Sequence, residues 1–299
     1  MAELTLDQHS GETLNDGYFK RVGKFANNNM KLTAGLAMVF AVVLFGYAGP
    51  IFVDMANTEV GSVTQSLPPN SENWLGTDAM GRDMLAWLIE ATPASLRVGL
   101  LAGALGVGFG VTIALVGGYY GGFVDNVLRT LTDVMLTIPG LLVLIVLASA
   151  VRVVSLEMMA LIIALFAWMG PARVIRSQVL TLRERSFVEL SKLSGESNMT
   201  IIFRELMPNL MPYILASFVG SVLGSILAAT GLEFLGLGPA NISTLGNILF
   251  WQDFYNALIR GMYWWWGPPI VIFIVLFTGL FLASMGLDEW ANPRLKERA

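Results

Sequence analysis

The chain has 299 residues, 55% hydrophobic and only 13% charged, with a mean hydropathy of +0.65, whereas soluble domains carry about 25% charged residues. Its formal net charge of −4 is too small to suggest a nucleic-acid partner. With a Cys count of 0, disulfides and cysteine metal sites are excluded. This is the composition of a polytopic membrane protein.

Residues 1–29 are polar and without sustained periodicity, as expected of a flexible tail, with a short interfacial helix expected at 18–25. His9, the single histidine, lies there and reads as a solvated side chain. The tail precedes the first apolar run and no small-residue cleavage site follows, so no cleavable signal is expected. Six charge-free runs then follow, at 32–53, 98–124, 134–151, 158–172, 206–232 and 261–287. A spanning helix needs about 20 apolar residues; four runs reach that alone and two with their flanks. The expected spans cover about 31–53, 94–120, 124–150, 157–176, 209–232 and 268–287. If the N-terminus lies inside, only Arg82, Arg97, Arg152 and Arg260 fall outside, and the other fourteen of the 18 Lys and Arg fall inside. That bias places both termini in the cytoplasm.

The external stretch 54–93 holds NWLGTDAMGRDML, a tight turn at Trp74, Gly76, Asp78, Gly81, Arg82 and Asp83 leading into an amphipathic helix. It reads either as an interfacial helix or as a gate or partner-contact element above a pore. In the second span Gly99, Gly103, Gly106 and Gly110 have spacings that let helix backbones approach closely. Asp125, Arg129 and Asp133 lie at i, i+4 and i+8 at the start of the third span, as an interfacial charge pair with a candidate gating role, and Pro139 is expected to kink that span. In the fifth span Ser217, Ser221 and Ser225 repeat every four residues, which suits either helix packing or pore lining. The aromatics of 233–267 suit an interfacial belt.

Between the fourth and fifth spans lies FVELSKLSGESNMTIIFRELMPNLMP, the most polar stretch of the apolar part of the chain. The sequence has no Walker motif, no HExxH and no Gly-x-Ser-x-Gly, and its single histidine leaves no triad. No ionisable residue falls near the centre of a span, where ion-coupled carriers place one. Transport would then be powered from outside the chain, and the polar loop is the handle on which a motor would act.

The spacing of that loop resembles the EAA loop of ABC importer permeases: Glu189, Gly195 six positions on, then Met207 and Pro208, with Leu190 and Ser191 in place of two alanines. WLGTDAMGRDML, GGYYGGFVDN, RSQVLTLRERSFVE, RELMPN, EFLGLG and a terminal NPRLK, with Asn292 in place of Asp, follow in the order of the dipeptide/oligopeptide (nickel) transport family. The chain is thus similar to the C-type, or second, permease of that family, except that PANISTLGN replaces its Pro-rich, Trp-containing stretch.

The resemblance implies an all-α, six-span type I importer permease that is not itself an enzyme. It implies a tail at 1–29, a first span with its external segment at 30–93, a core at 94–288 with a coupling loop at 178–208, and a tail at 289–299. Glu189, Leu190, Ser191, Gly195, Glu196, Arg204 and Pro208 would couple to an ATPase. The implied partners are a second permease subunit, two cytosolic ATPases that carry ATP and Mg, an external substrate-binding protein and plasma-membrane lipid. This chain would bind no cofactor and no metal. Peptides are the expected cargo, with oligosaccharides or nickel as alternatives. An ATP-independent channel or ion-coupled carrier, and a structural membrane scaffold, are the competing classes.

Overall fold

The structure is a computed structural model that describes residues 26–151, 153–239 and 241–291. The helix expected at 18–25, His9 and the NPRLK segment lie outside the described residues. Among these residues the protein is helical, with no strand beyond an isolated bridge between Thr77 and Asp83. In chain order the helices are α1 (Met30–Ala48), α2 (Met84–Tyr120), α3 (Gly122–Thr137), α4 (Gly140–Ser149), α5 (Leu156–Ala167) and α6 (Met169–Leu182). They continue with α7 (Ser186–Leu193), α8 (Asn198–Phe234), α9 (Leu245–Phe254) and α10 (Tyr263–Ala291). Helices α1, α2, α8 and α10 are each long and apolar enough to cross a membrane. The bent pairs α3–α4 and α5–α6 pass the same test together, which gives six spans where each pair counts as one.

Helix α2 is the central post. Its 37 residues would extend about 55 Å, well beyond a hydrocarbon core of about 30 Å. It packs against α8, α6, α5 and α1. Its glycines make the close approach: a Cβ on Gly99 would stand 2.2 Å from Ile226 Cγ1, and one on Gly106 2.5 Å from Ala167 Cβ. Without a hydrophobic drive between helices in lipid, such backbone approach is what supplies dispersion contact. The same device joins α1 to α10, where a Cβ on Gly35 would lie 2.4 Å from the Ala283 amide nitrogen. A Lys31–Glu289 ion pair ties that pair of helices at one end.

Several expectations need correction. The amphipathic segment after Asp83 is not a separate interfacial helix; it is the first ten residues of α2, with Met84, Ala86, Trp87, Leu88 and Ile89 all buried. Asp83 starts the helix by accepting from the Ala86 amide, and Pro93 is carried within it. The third span is not kinked but broken, its halves meeting at 80° across Ile138 and Pro139. Pro139 sits at the N-cap of α4, where a missing amide costs nothing. The fourth span bends by 42° at Trp168. The fifth begins earlier than expected, at Asn198, with a π-helical turn at Ile201–Leu206 before the α-helix Met207–Phe234. In the aromatic region after α8, Trp265 is fully buried in the core formed with Met84, Trp87, Leu245 and Leu276, so that ring is a packing element and not part of an interfacial belt.

Candidate functional site

At the end of the bundle where α2 terminates, α6 runs into the eight-residue helix α7. Glu189 lies in its first turn and Lys192 in its last, which complements the helix dipole at both ends. Glycine ends the helix in a Schellman motif. The Gly195 amide donates to the Lys192 carbonyl (3.1 Å) and the Glu196 amide to the Ser191 carbonyl (3.1 Å), with Gly195 at φ +79°. A left-handed residue is required there, and glycine adopts it without the Cβ penalty. Ser197 then caps the start of α8 by accepting from the Thr200 amide.

One face of α7 is anchored. Val188 is completely buried among Tyr119 of α2, Ile175 and Val179 of α6, and Ile201, Leu206 and Leu210 of α8. The Tyr119 hydroxyl lies 2.9 Å from Asn198 Oδ1, and Arg183 Nη1 donates to the Gly118 carbonyl at 2.8 Å. Leu190 and Leu193 of α7, and Met199 and Phe203 at the start of α8, are each at least 60% exposed. Among the coupling candidates, Glu189, Leu190, Gly195, Glu196, Arg204 and Pro208 are exposed and Ser191 is half-buried. The segment thus carries exposed apolar side chains among exposed charges.

Beside this pole, the charges of α3 reach across to α6 more than along α3. Arg176 holds Asp125 with two nitrogens at 2.5 Å each, and Arg173 holds Asp133 at 2.5 Å, while Arg129 reaches Asp133 at 3.5 Å. The i, i+4 spacing identified the last pair only. The cross-helix partners needed the tertiary fold.

At the opposite pole the residues singled out around Trp74 form a buried knot. Gly76, Asp78, Gly81, Arg82 and Asp83 are buried, and Trp74 alone is exposed. Asp78 accepts from the Met80 and Arg82 amides and from Arg82 Nε at 2.7 Å. The guanidinium stacks 3.3 Å over the ring of Trp87. Burial lowers the pKa of Arg82, and the adjacent Asp78 opposes that shift. Asn73 donates to Asp83 at 2.7 Å, and Trp264 of α10 donates to the Thr77 carbonyl at 3.1 Å. The motif's chemistry is thus spent on folding the segment onto α2 and α10.

Ser217, Ser221 and Ser225 all line a single cavity of about 640 Å³, together with residues of α4, α5 and α6. The sequence did not single out Glu233. It is buried in the last turn of α8, with its carboxylate against the start of α9 at Thr244 and Gly246. Gly246 must be glycine, because a Cβ would lie 2.1 Å from Glu233 Oε2. Ser95 accepts from the Leu245 amide and Thr244 from the Asn247 amide, so two side chains cap α9. The available signal was a lone acid closing a charge-free run.

A six-span helical bundle with two broken spans, a short anchored helix exposing an apolar face, and a cavity among the spans is a membrane permease. The chain belongs to the family of binding-protein-dependent transport system inner membrane components, which it matches over residues 106–297. It is 30% identical to the oligopeptide transport system permease protein OppC of Mycobacterium tuberculosis over 89% of this chain and 91% of that one. It is also 30% identical to the dipeptide transport system permease protein DppC of Alkalihalophilus pseudofirmus, over 93% of this chain and 89% of that one. Against DppC of Haemophilus influenzae the identity is 29%, over 94% of each chain. The fold is similar to a chain of the MetNI methionine ABC transporter in its inward-facing conformation, with a TM-score of 0.51 and 15% identity over 68% of this chain and 97% of that one. It is the type I ABC importer permease fold.

Proposed function

We propose that this permease subunit imports dipeptides or oligopeptides and is driven by ATP hydrolysed on partner subunits. The observation that carries the reading is α7: buried through Val188 into the ends of three spans and apolar on its outward face. One of two cytosolic ATPases docks on Leu190, Leu193, Met199 and Phe203, with Glu189, Ser191, Glu196 and Arg204 setting the register of the contact and Gly195 and Pro208 shaping its ends. When the ATPases close, α7 is displaced and Val188 carries the displacement to α2, α6 and α8. The bend at Trp168 and the π-turn at Ile201–Leu206 absorb it, and the Arg176–Asp125 pair passes it to α3.

A second permease subunit completes the pore, with Ser217, Ser221 and Ser225 lining this subunit's half. A substrate-binding protein docks at the opposite pole, where Trp74 is the exposed member of the buried knot. ATP and Mg stay on the ATPases, and this chain contributes no catalytic group. Both termini face the cytoplasm of a plasma membrane. The peptide cargo is supported by the names of the relatives, all peptide permeases across about nine-tenths of the chain.

The test is uptake into proteoliposomes holding the complete transporter, with labelled tripeptide, oligosaccharide or nickel ion supplied with the binding protein. ATP-dependent uptake of the tripeptide, lost with an ATPase partner unable to hydrolyse ATP, is expected. Uptake of only the sugar or the metal would overturn the cargo, and undiminished uptake with the inactive ATPase would overturn the mechanism.

A further inference from the structure

The cavity beside α8 has a lining that says how it would hold a cargo. Its lining residues include no Asp, Glu, Lys, Arg or His. Its lining side chains carry three hydroxyls, and residues beside both span breaks line it too. Ser225 is 2% exposed and its Oγ has no partner among the described residues, so one buried hydroxyl is left for a ligand. Pro171, four residues after Ala167, has no amide hydrogen, so the Ala167 carbonyl loses its helical donor. Ser221 Oγ stands 3.4 Å from that carbonyl, a weak substitute. Gly140 and Leu141 also line the cavity, at the first turn of α4, where Pro139 provides no side-chain cap. Residues at the breaks of both bent spans therefore line one space, as in transporter sites built at broken helices.

Glycines mark the same surface. A Cβ on Gly170, Gly220 or Gly224 would meet nothing within 4 Å, whereas those on Gly99, Gly103 and Gly106 would collide with neighbouring helices. The first group is not small for the sake of packing within this chain. The volume of about 640 Å³ lies within the range of about 300–1,000 Å³ typical of ligand pockets.

We propose that this cavity is a transit site that holds a peptide through its backbone amides and is indifferent to its side chains. The α4 amides donate to peptide carbonyls, while the Ala167 carbonyl and the serine hydroxyl oxygens accept from peptide amides. No lining charge favours or repels an acidic or basic residue, so selection among peptides happens elsewhere. This inference rests on the peptide-import reading above.

The experiment uses the complete reconstituted transporter and compares uptake of trialanine, trilysine, triglutamate and N-methylated trialanine by wild type and Ser221→Ala/Ser225→Ala. Loss of two hydrogen bonds should lower uptake of the three unmodified peptides by one common factor of about ten. Relative to its own wild-type uptake, the N-methylated peptide should lose much less. A factor that follows side-chain charge, or no change for any peptide, would overturn the proposal. In a second arm Gly224→Cys, in a chain with a Cys count of 0, is exposed to a small hydrophilic thiol reagent. Protection by trialanine is expected, and crosslinking of that cysteine to the second permease without protection would show that a partner helix fills the space. Should no peptide be taken up by wild type, the failure lies with the peptide-import reading, which the proteoliposome assay detects separately.

Discussion

The two motifs that stand out in the sequence do opposite things at the level of single residues. Gly195 is required by backbone geometry: its left-handed φ of +79° closes α7 and frees the chain to turn into α8. Open space surrounds it, so a side chain would strain the backbone and clash with nothing. Gly195→Val should cost about 1–2 kcal/mol at that turn and lower peptide-stimulated ATP hydrolysis, while Gly195→Asn, which tolerates the left-handed region, should retain most of it. Equal activity of the two variants in the reconstituted transporter would remove the turn from the mechanism. The Asp78–Arg82 pair, by contrast, is internal architecture. Its spacing within a turn was readable in the sequence; its burial under Trp87 was not, because that depends on where α2 begins. Polar residues in a loop suggest a contact surface, but of the residues singled out there only Trp74 is exposed.

At the level of whole elements, hydropathy located the spans but not their shape. Charge-free runs report that a segment is in lipid, and say nothing about whether its backbone is continuous. The breaks at Pro139 and Trp168 depend on what fills the gap: a cavity accommodates the first and the close approach of α2 at Gly106 and Gly110 the second. A span expected over about 94–120 with a separate amphipathic helix before it is one helix, which Asp83 caps and the 84–89 stretch carries through. The small residues likewise divide into two classes that sequence cannot separate. Gly103→Leu, whose Cβ would already stand 3.0 Å from the Val222 amide nitrogen, should destabilise the protein by about 1–3 kcal/mol through overpacking. Gly224→Ala should leave thermal stability in detergent unchanged or raised by up to about 1 kcal/mol, yet reduce uptake. Equal loss of stability in both would contradict the assignment of Gly224 to an open cavity.

Across the whole molecule, the function proposed above makes the protein a lever, with the α7 handle at one pole and the buried knot at the other, about one α2 length apart. The handle was legible because a polar stretch cannot rest in lipid and its spacing matched a known loop. Its anchoring was not, since Tyr119, Val179, Val188 and Leu206 come from four helices and meet only in the fold. Glu233 escaped notice for the same reason: its partners, Gly246 and Thr244, lie beyond a turn.

The central claim is that α7 is where the ATPase grips this subunit. Leu193→Cys places a single thiol on its bare face, in a chain with a Cys count of 0, and Leu258→Cys places one at the exposed turn of the opposite pole. In the assembled transporter, a short thiol- and amine-reactive crosslinker should join Leu193→Cys to the ATPase subunit, with a yield that changes when ATP is bound, and should leave Leu258→Cys unjoined to it. A Leu193→Cys thiol that stays freely labelled and never crosslinks to the ATPase in the active complex would contradict the account.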